Sequence, residues 1–301
     1  MPFPKSLRYY QAPTSGQDPR HLNDAMQNYQ FTPCGPMDWF TQGFVPPVPG
    51  QEHLAYHMHG TILVALRRQE KRIPASVIRD KVDALVQEIE ARDVRRVGRK
   101  EKQQLRERVT DELLPSTQPT SWTIRAWIDL ARNRVMVEAS SAAKAELMIT
   151  MLRTAMPPYP ARLPRPLLSP ATQMTAWLQG EAPPGFTLDA DCELKAPGEG
   201  GAVVRCTRQD LTASEVRAHL DGGKQVSKLG LTFDDSVSFV LTDDFGLRKI
   251  KFHDVLAEKV DGENAEDVFF SEQAVITLEL AKLLDALEEA HGGVEPAEAL
   301  F

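Results

Sequence analysis

Three histidines stand close together at positions 53, 57 and 59, with Glu52 beside the first. His57 and His59 form an HxH pair. On a strand such a pair turns both rings to one face, a geometry that binds divalent metals. No further histidine–carboxylate signature follows, and the segment runs straight out of a proline-rich stretch. Surface histidines are the plainer reading, so no metal ligand is assigned and a metal-dependent enzyme using His53, His57 and His59 stays as the alternative.

Other catalytic signatures fail on spacing. Gly198-Glu199-Gly200-Gly201 lacks the Gly-Lys-Ser/Thr of a phosphate loop. Gly223-Lys224 is followed by Gln225, with Ala218 where the earlier glycine of a Walker A motif is needed. Asp189, Asp191 and Glu193 begin like a calcium loop, but its sixth position is Leu194 and its twelfth is Gly200, so the turn glycine and the bidentate carboxylate are missing. There is no G-x-S-x-G elbow. Cys34, Cys192 and Cys206 are odd in number and contain no CxxC, which fits reduced thiols in a cytosol. Cys34, between Pro33 and Gly35, reads as a packed small residue. The sequence argues against an enzyme and against a cofactor.

The cations are more informative. The net charge of −7 hides a strong asymmetry: residues 67–108 hold 14 basic and 8 acidic side chains, whereas residues 181–301 hold 11 and 25. Arg95, Arg96, Arg99 and Lys100 cluster around Gly98 in the basic block. In the acidic part, Arg205 and Arg208 lie just before Gln209, Lys224 and Lys228 flank the start of a strand at Val226, and Arg248, Lys249 and Lys251 share the last strand. One reading is ordinary charge pairing on strand faces with Asp234, Asp235, Asp243 and Asp244. The other is a cationic groove facing phosphates, with Gln209 adding a neutral hydrogen bond. No RNP motif, zinc finger or helix-turn-helix accompanies these residues. Binding of that kind would rest on the nucleic-acid backbone and be blind to sequence.

The elements that must position these groups follow from periodicity. A short strand is predicted at 7–11, a helix at 19–29, and an ordered loop over the Pro- and Gly-rich 31–50. Residues 57–67 read as one strand. Pro74 suits a helix start, and Ile78, Val82, Leu85 and Ile89 then mark one helical face. After Gly98, Leu105, Val109 and Leu113 mark a second helix that Pro115 ends, giving a basic helical hairpin over 74–114. Strands at 121–129 and 134–140 precede a helix at 142–156, and six prolines in 157–170 suggest a domain boundary. Beyond it, strands are predicted at 202–208, 226–233, 237–242 and 247–252, and helices at 173–180, 212–221 and 271–290. Thr212 and Glu215 make a capping box for the second of these helices. Strand–turn–strand–helix occurs twice, so the expected fold class is α+β, antiparallel sheets with packed helices in two related domains plus a projecting hairpin. In 301 residues with 42% apolar content, no run reaches membrane-span length and the first twenty residues carry no apolar signal core, so a soluble cytoplasmic protein is expected.

Local strings carry a further likeness. Phe31-Thr32-Pro33-Cys34-Gly35, Gly43-Phe44-Val45-Pro46-Pro47, Glu70-Lys71-Arg72-Ile73-Pro74, Leu113-Leu114-Pro115, Trp127-Ile128-Asp129, Arg208-Gln209-Asp210-Leu211, Lys228-Leu229-Gly230-Leu231 and 247–252 occur in order. The sequence thereby resembles the bacterial recombination-associated RdgC family over nearly its whole length. The resemblance implies a noncatalytic DNA-binding protein of the cytoplasm and nucleoid. It would be a ring-shaped homodimer whose basic hole holds double-stranded DNA, that also binds single-stranded DNA, and that limits RecA-promoted strand exchange. It implies a centre region (1–73 and 115–160), a tip (74–114) and a base (161–301). It also implies that Arg208 and Gln209 contact DNA, with Lys224, Lys228, Arg248, Lys249, Lys251, Arg95, Arg96, Arg99 and Lys100 as further candidates. Two positions depart from the family pattern: Thr207 replaces a usual cation, and Gln118 replaces an aromatic that some members carry, with Trp122 nearby. A protein-interaction scaffold, in which the basic hairpin meets an acidic partner, is the other alternative.

Overall fold

Among residues 3–12, 18–58 and 60–296, which the computed structural model describes, one antiparallel sheet of eleven strands runs through both halves of the chain. The first half supplies β1 (Ser6–Gln11), β2 (Phe40–Val45), β3 (Ala55–Met58), β4 (Thr61–Glu70), β5 (Thr120–Asp129) and β6 (Arg134–Val137). The second supplies β7 (Phe186–Lys195), β8 (Val203–Cys206), β9 (Gln225–Phe233), β10 (Val237–Thr242) and β11 (Leu247–Phe252). The order is β2-β4-β5-β6-β1-β11-β10-β9-β7-β8, with β3 paired to β4. The seam between halves is short. Ser6 and Leu7 pair with Arg248 and Leu247, after which β1 continues along β6.

The helices are α1 (Pro19–Gln27), α2 (Ala75–Asp93), α3 (Arg99–Leu113), α4 (Ala142–Ala155), α5 (Pro170–Gln179), α6 (Ser214–Asp221), α7 (Asp254–Ala257) and α8 (Ala265–Ala290). The first half of the sheet is covered on both faces. Ile62, Val64, Ile124 and Ile128 share a core with residues of α1 and α4, while Leu63, Trp127 and Met136 share one with α8. Burial on both faces explains why β4 reads as a continuous apolar run over Ile62–Leu66 rather than an alternating one. The core under α8 continues across the seam to Val226, Leu229, Leu231, Phe239 and Leu241. Polar ties fix α8 there: Trp127 Nε1 donates to Gln273 Oε1 at 2.9 Å, and Arg134 reaches Asp285 at 2.7 Å and Glu288 at 2.6 Å. Among the described residues, the other face of β7–β11 carries polar side chains and has no helical cover of this kind.

Several expectations need correction. The 31–50 loop contains β2, and the strand expected at 57–67 is the β3–β4 hairpin. β7 is a strand that the periodicity does not predict. Thr212 does not cap α6: Ala213 holds the cap position without a side-chain bond, and Thr212 instead donates to Asp210. α8 starts earlier than 271 because Asn264 accepts from the main-chain N–H groups of Glu266 and Asp267.

The α2–α3 hairpin buries only Val82 and Val109 within its helices. Its root is fixed by Lys71, whose ammonium donates to the carbonyls of Gly35, Pro36 and Leu114 at 2.9, 2.7 and 3.2 Å. No described helix is long and apolar enough to cross a membrane.

Candidate nucleic-acid interface

Three strands of the second half, β8, β9 and β11, bring cations onto the open face, and β11 shows how. A regular strand would send Lys249 to the same side as Leu247. Here Ser238 pairs with Lys251 and Val240 with Arg248, so Lys249 and Ile250 together oppose Phe239. This is a β-bulge, with Lys249 at φ +51°. The extra residue keeps Leu247, Ile250 and Phe252 buried while Arg248, Lys249 and Lys251 all remain exposed. On β9, Lys228 sits opposite Glu193 of β7, and Arg205 of β8 faces the same glutamate from its other side. β7 itself bulges between Leu188 and Cys192 and passes close over Gly230, where a Cβ would lie 3.0 Å from the Asp189 Cβ. That close pass, made beside a glycine, delivers Asp191 to the group.

The result is a cleft of about 440 Å³ lined by Arg205, Lys228, Arg248, Lys249, Asp191 and Glu193. Glu193 accepts from Arg205 Nε and from Lys228 Nζ, both at 2.8 Å, and from the Ser227 hydroxyl at 3.0 Å. Partial burial alone would raise its carboxyl pKa. The hydrogen bonds from Lys228, Arg205 and Ser227 outweigh that and hold it down to about 2. Asp191 lies 3.5 Å from Lys249 Nζ and accepts the Arg208 main-chain N–H at 3.1 Å.

The structure therefore gathers Lys228, Arg248 and Lys249 into one cleft with Arg205. Arg208 stands at its margin, exposed and at φ +53°. Lys251 lies one step along β11, beside a hydrogen-bonded row in which Asp189 accepts from Thr232, Thr232 meets Ser238 at 2.9 Å, and Ser238 meets His253 Nε2 at 2.6 Å. Gln209 turns its amide to Glu215 at 3.3 Å, and Lys224 lies 3.3 Å from His219 Nδ1. Neither lines the cleft. Arg95, Arg96, Arg99 and Lys100 sit at the far turn of the α2–α3 hairpin, with Arg95 gripped by both oxygens of Glu101 at 2.7 and 2.8 Å. Arg99 and Lys100 border a separate groove. Gln118 is exposed, and Trp122 is half-buried with Lys144 Nζ 4.7 Å over its ring.

The residues that sequence reasoning missed are Asp191 and Glu193, which enter it only as a failed calcium loop. Their spacing of two, the period of a strand, was the available signal. Of the histidine cluster, His53 and His57 are exposed, and His59 lies outside the described residues. Among the described residues no three His, Cys, Asp or Glu side chains are grouped to hold a metal. Cys192 and Cys206 are buried cross-strand partners, and burial, then Cys206, pushes the Cys192 thiol up to about 12, far from a reactive thiolate.

Comparison with known proteins covers nearly the whole chain. Residues 2–294 match the family model described as "Putative exonuclease, RdgC". A Recombination-associated protein RdgC of Laribacter hongkongensis is 44% identical, covering 93% of this chain and 95% of its own length. Proteins of the same name from Neisseria gonorrhoeae and Tolumonas auensis are 40% and 37% identical, covering 90% and 93% of this chain and 92% and 94% of their own. With the family model and these relatives aligned over both halves of the sheet and the hairpin between its strands, the chain belongs to the RdgC family.

Proposed function

We propose that the chain is a recombination-associated protein that binds DNA without sequence preference, as a ring-shaped homodimer encircling the duplex, and limits RecA access to DNA and strand exchange. The observation that carries this reading is the open sheet face, where Arg205, Lys228, Arg248 and Lys249 from three strands line one cleft. Such a row of guanidinium and ammonium groups suits phosphate oxygens and offers no base-reading motif. The names of the relatives support the recombination role. In this reading the centre, tip and base are 1–73 with 115–160, 74–114 and 161–301, single-stranded DNA is a second ligand, and the protein works in the cytoplasm at the nucleoid. The acidic total of −7 fits a ring whose exterior repels DNA while inward cations focus an attractive potential.

Binding, rather than catalysis, is the activity in this reading. The test is equilibrium binding to two end-labelled duplexes of unrelated sequence, titrated across salt and repeated with magnesium. Equal affinities, a common steep salt dependence and intact labelled ends are expected. Arg248→Ala should weaken both complexes alike and make the slope shallower by about 0.9 for each phosphate it no longer neutralises. Absence of binding at low salt overturns the proposal in favour of a protein-interaction scaffold, and shortening of the duplex overturns its noncatalytic part.

A further inference from the structure

Three of the four cations in the cleft already have a carboxylate partner. Glu193 lies between Arg205 and Lys228, and Asp191 is paired with Lys249. A carboxylate held between a guanidinium and an ammonium stands where a phosphate oxyanion would be received. Glu193 stays ionised to about pH 2, so it competes at every physiological pH. Neither acid is required by the core, since both belong to the open face of β7, whose inward positions are Cys192 and Leu194.

We propose, on the DNA-binding reading above, that Asp191 and Glu193 are a built-in competitor for the phosphate backbone. They occupy the phosphate positions of the cleft in the free protein, and DNA must exchange its own oxygens for theirs. Affinity is thereby set below what the cations alone would give, and fewer cations are available to displace counterions from the duplex. A clamp held this loosely can shift along its track rather than lock to one place.

The test is Glu193→Gln, a near-isosteric change that removes the charge but leaves an amide able to accept from one cation. Bound to the same two duplexes near 0.1 M salt, it should bind about tenfold tighter than wild type. Its salt slope should steepen by about 0.9 for each of Arg205 and Lys228 released to a phosphate. Asp191→Asn should act in the same direction through Lys249, by a smaller factor. Glu263→Gln, an exposed position ahead of α8 and away from the cleft lining, removes the same charge elsewhere and should leave both quantities near wild type. Wild-type binding with no tightening in the folded Glu193→Gln protein, or equal tightening by Glu263→Gln, overturns the competitor. If Glu193→Gln loses its fold by circular dichroism, Asp191→Asn decides alone. Failure of wild type to bind DNA is a different outcome, and it removes the functional reading itself.

Discussion

On the proposed reading, Glu193 joins stability and binding in one side chain. Its carboxyl titrates near 2 in the folded protein against an ordinary 4.5. A depressed acid contributes fully above the higher value and loses its contribution as pH falls through the window between the two. Unscreened, that loss between pH 6 and pH 3 would come to about 2 kcal/mol, and solvent at the cleft mouth reduces it to about 1 kcal/mol. Urea unfolding of wild type and Glu193→Gln at pH 6 and pH 3 should therefore show wild type losing about 1 kcal/mol more over that interval. Parallel pH profiles would mean that the ion pairs with Arg205 and Lys228 contribute nothing net. At this scale the sequence was partly legible. Lys228, Arg248 and Lys249 stand out as cations in an acidic region, but whether their partners are phosphates or carboxylates depends on register. The acids that pair with Lys228 and Lys249, Glu193 and Asp191, are not among those that simple hairpin proximity suggests, Asp234, Asp235, Asp243 and Asp244. Asp244 is engaged chiefly with Arg8 across the seam, with a weaker attraction from Arg248.

Elements with a clean period were readable, and those whose period is broken were not. β5, β9, β10, α4 and α8 all announce themselves through apolar spacing. β2 lies hidden among prolines, and its Gly43 is squeezed against the Phe31 backbone, where a Cβ would stand 2.5 Å from the Phe31 Cα. β7 is broken by two register shifts, which erase the alternation that a strand search relies on. Three of the strings that carried the family likeness, 31–35, 70–74 and 113–115, have a structural explanation: the Lys71 ammonium ties 70–74 to Gly35 and Leu114, and Cys34 N–H donates to Gln69 Oε1 at 3.0 Å. These hold the hairpin root, whereas the strings at 228–231 and 247–252 supply Lys228, Arg248 and Lys249 to the cleft. The β11 bulge makes a prediction of its own. Deleting Lys249 leaves Leu247, Arg248, Ile250, Lys251 and Phe252 in regular alternation and removes a residue held at φ +51°. A left-handed L-residue costs about 1–2 kcal/mol, which offsets the rearrangement, so the deletion should fold with stability within about 1 kcal/mol of wild type. DNA binding should weaken, with a salt slope shallower by about 0.9. Deleting Ile250 instead puts Lys249 at the inward position opposite Phe239 and should cost about 3 kcal/mol or more by thermal unfolding. Equal stability of the two deletions would show that the bulge does not set the facing of this strand.

At the scale of the molecule, the sheet is asymmetric in a useful way. One core, under α8, seals a face across both halves, while among the described residues the opposite face is covered by α1 and α4 over the first half and left open along β7–β11. In the proposed ring, two copies related by a twofold axis would present that open face twice, so each inward cation would count double for a single duplex. Encirclement and a simple surface grip then differ in one measurable respect, because the former has topology and the latter has only affinity. The closed homodimer should be retained on a relaxed circular duplex when salt is raised or competitor DNA is added, and lost from a linear duplex of the same sequence by escape over its ends. Blocking both ends of the linear molecule with bulky protein complexes should restore retention. Glu193→Gln sharpens the comparison: if the acids loosen the grip, their removal should slow escape from the open-ended duplex while changing retention on the circle little. Identical dissociation from circular, linear and end-blocked DNA would mean that the open face binds from outside, and the ring would have no part in how the protein holds its track.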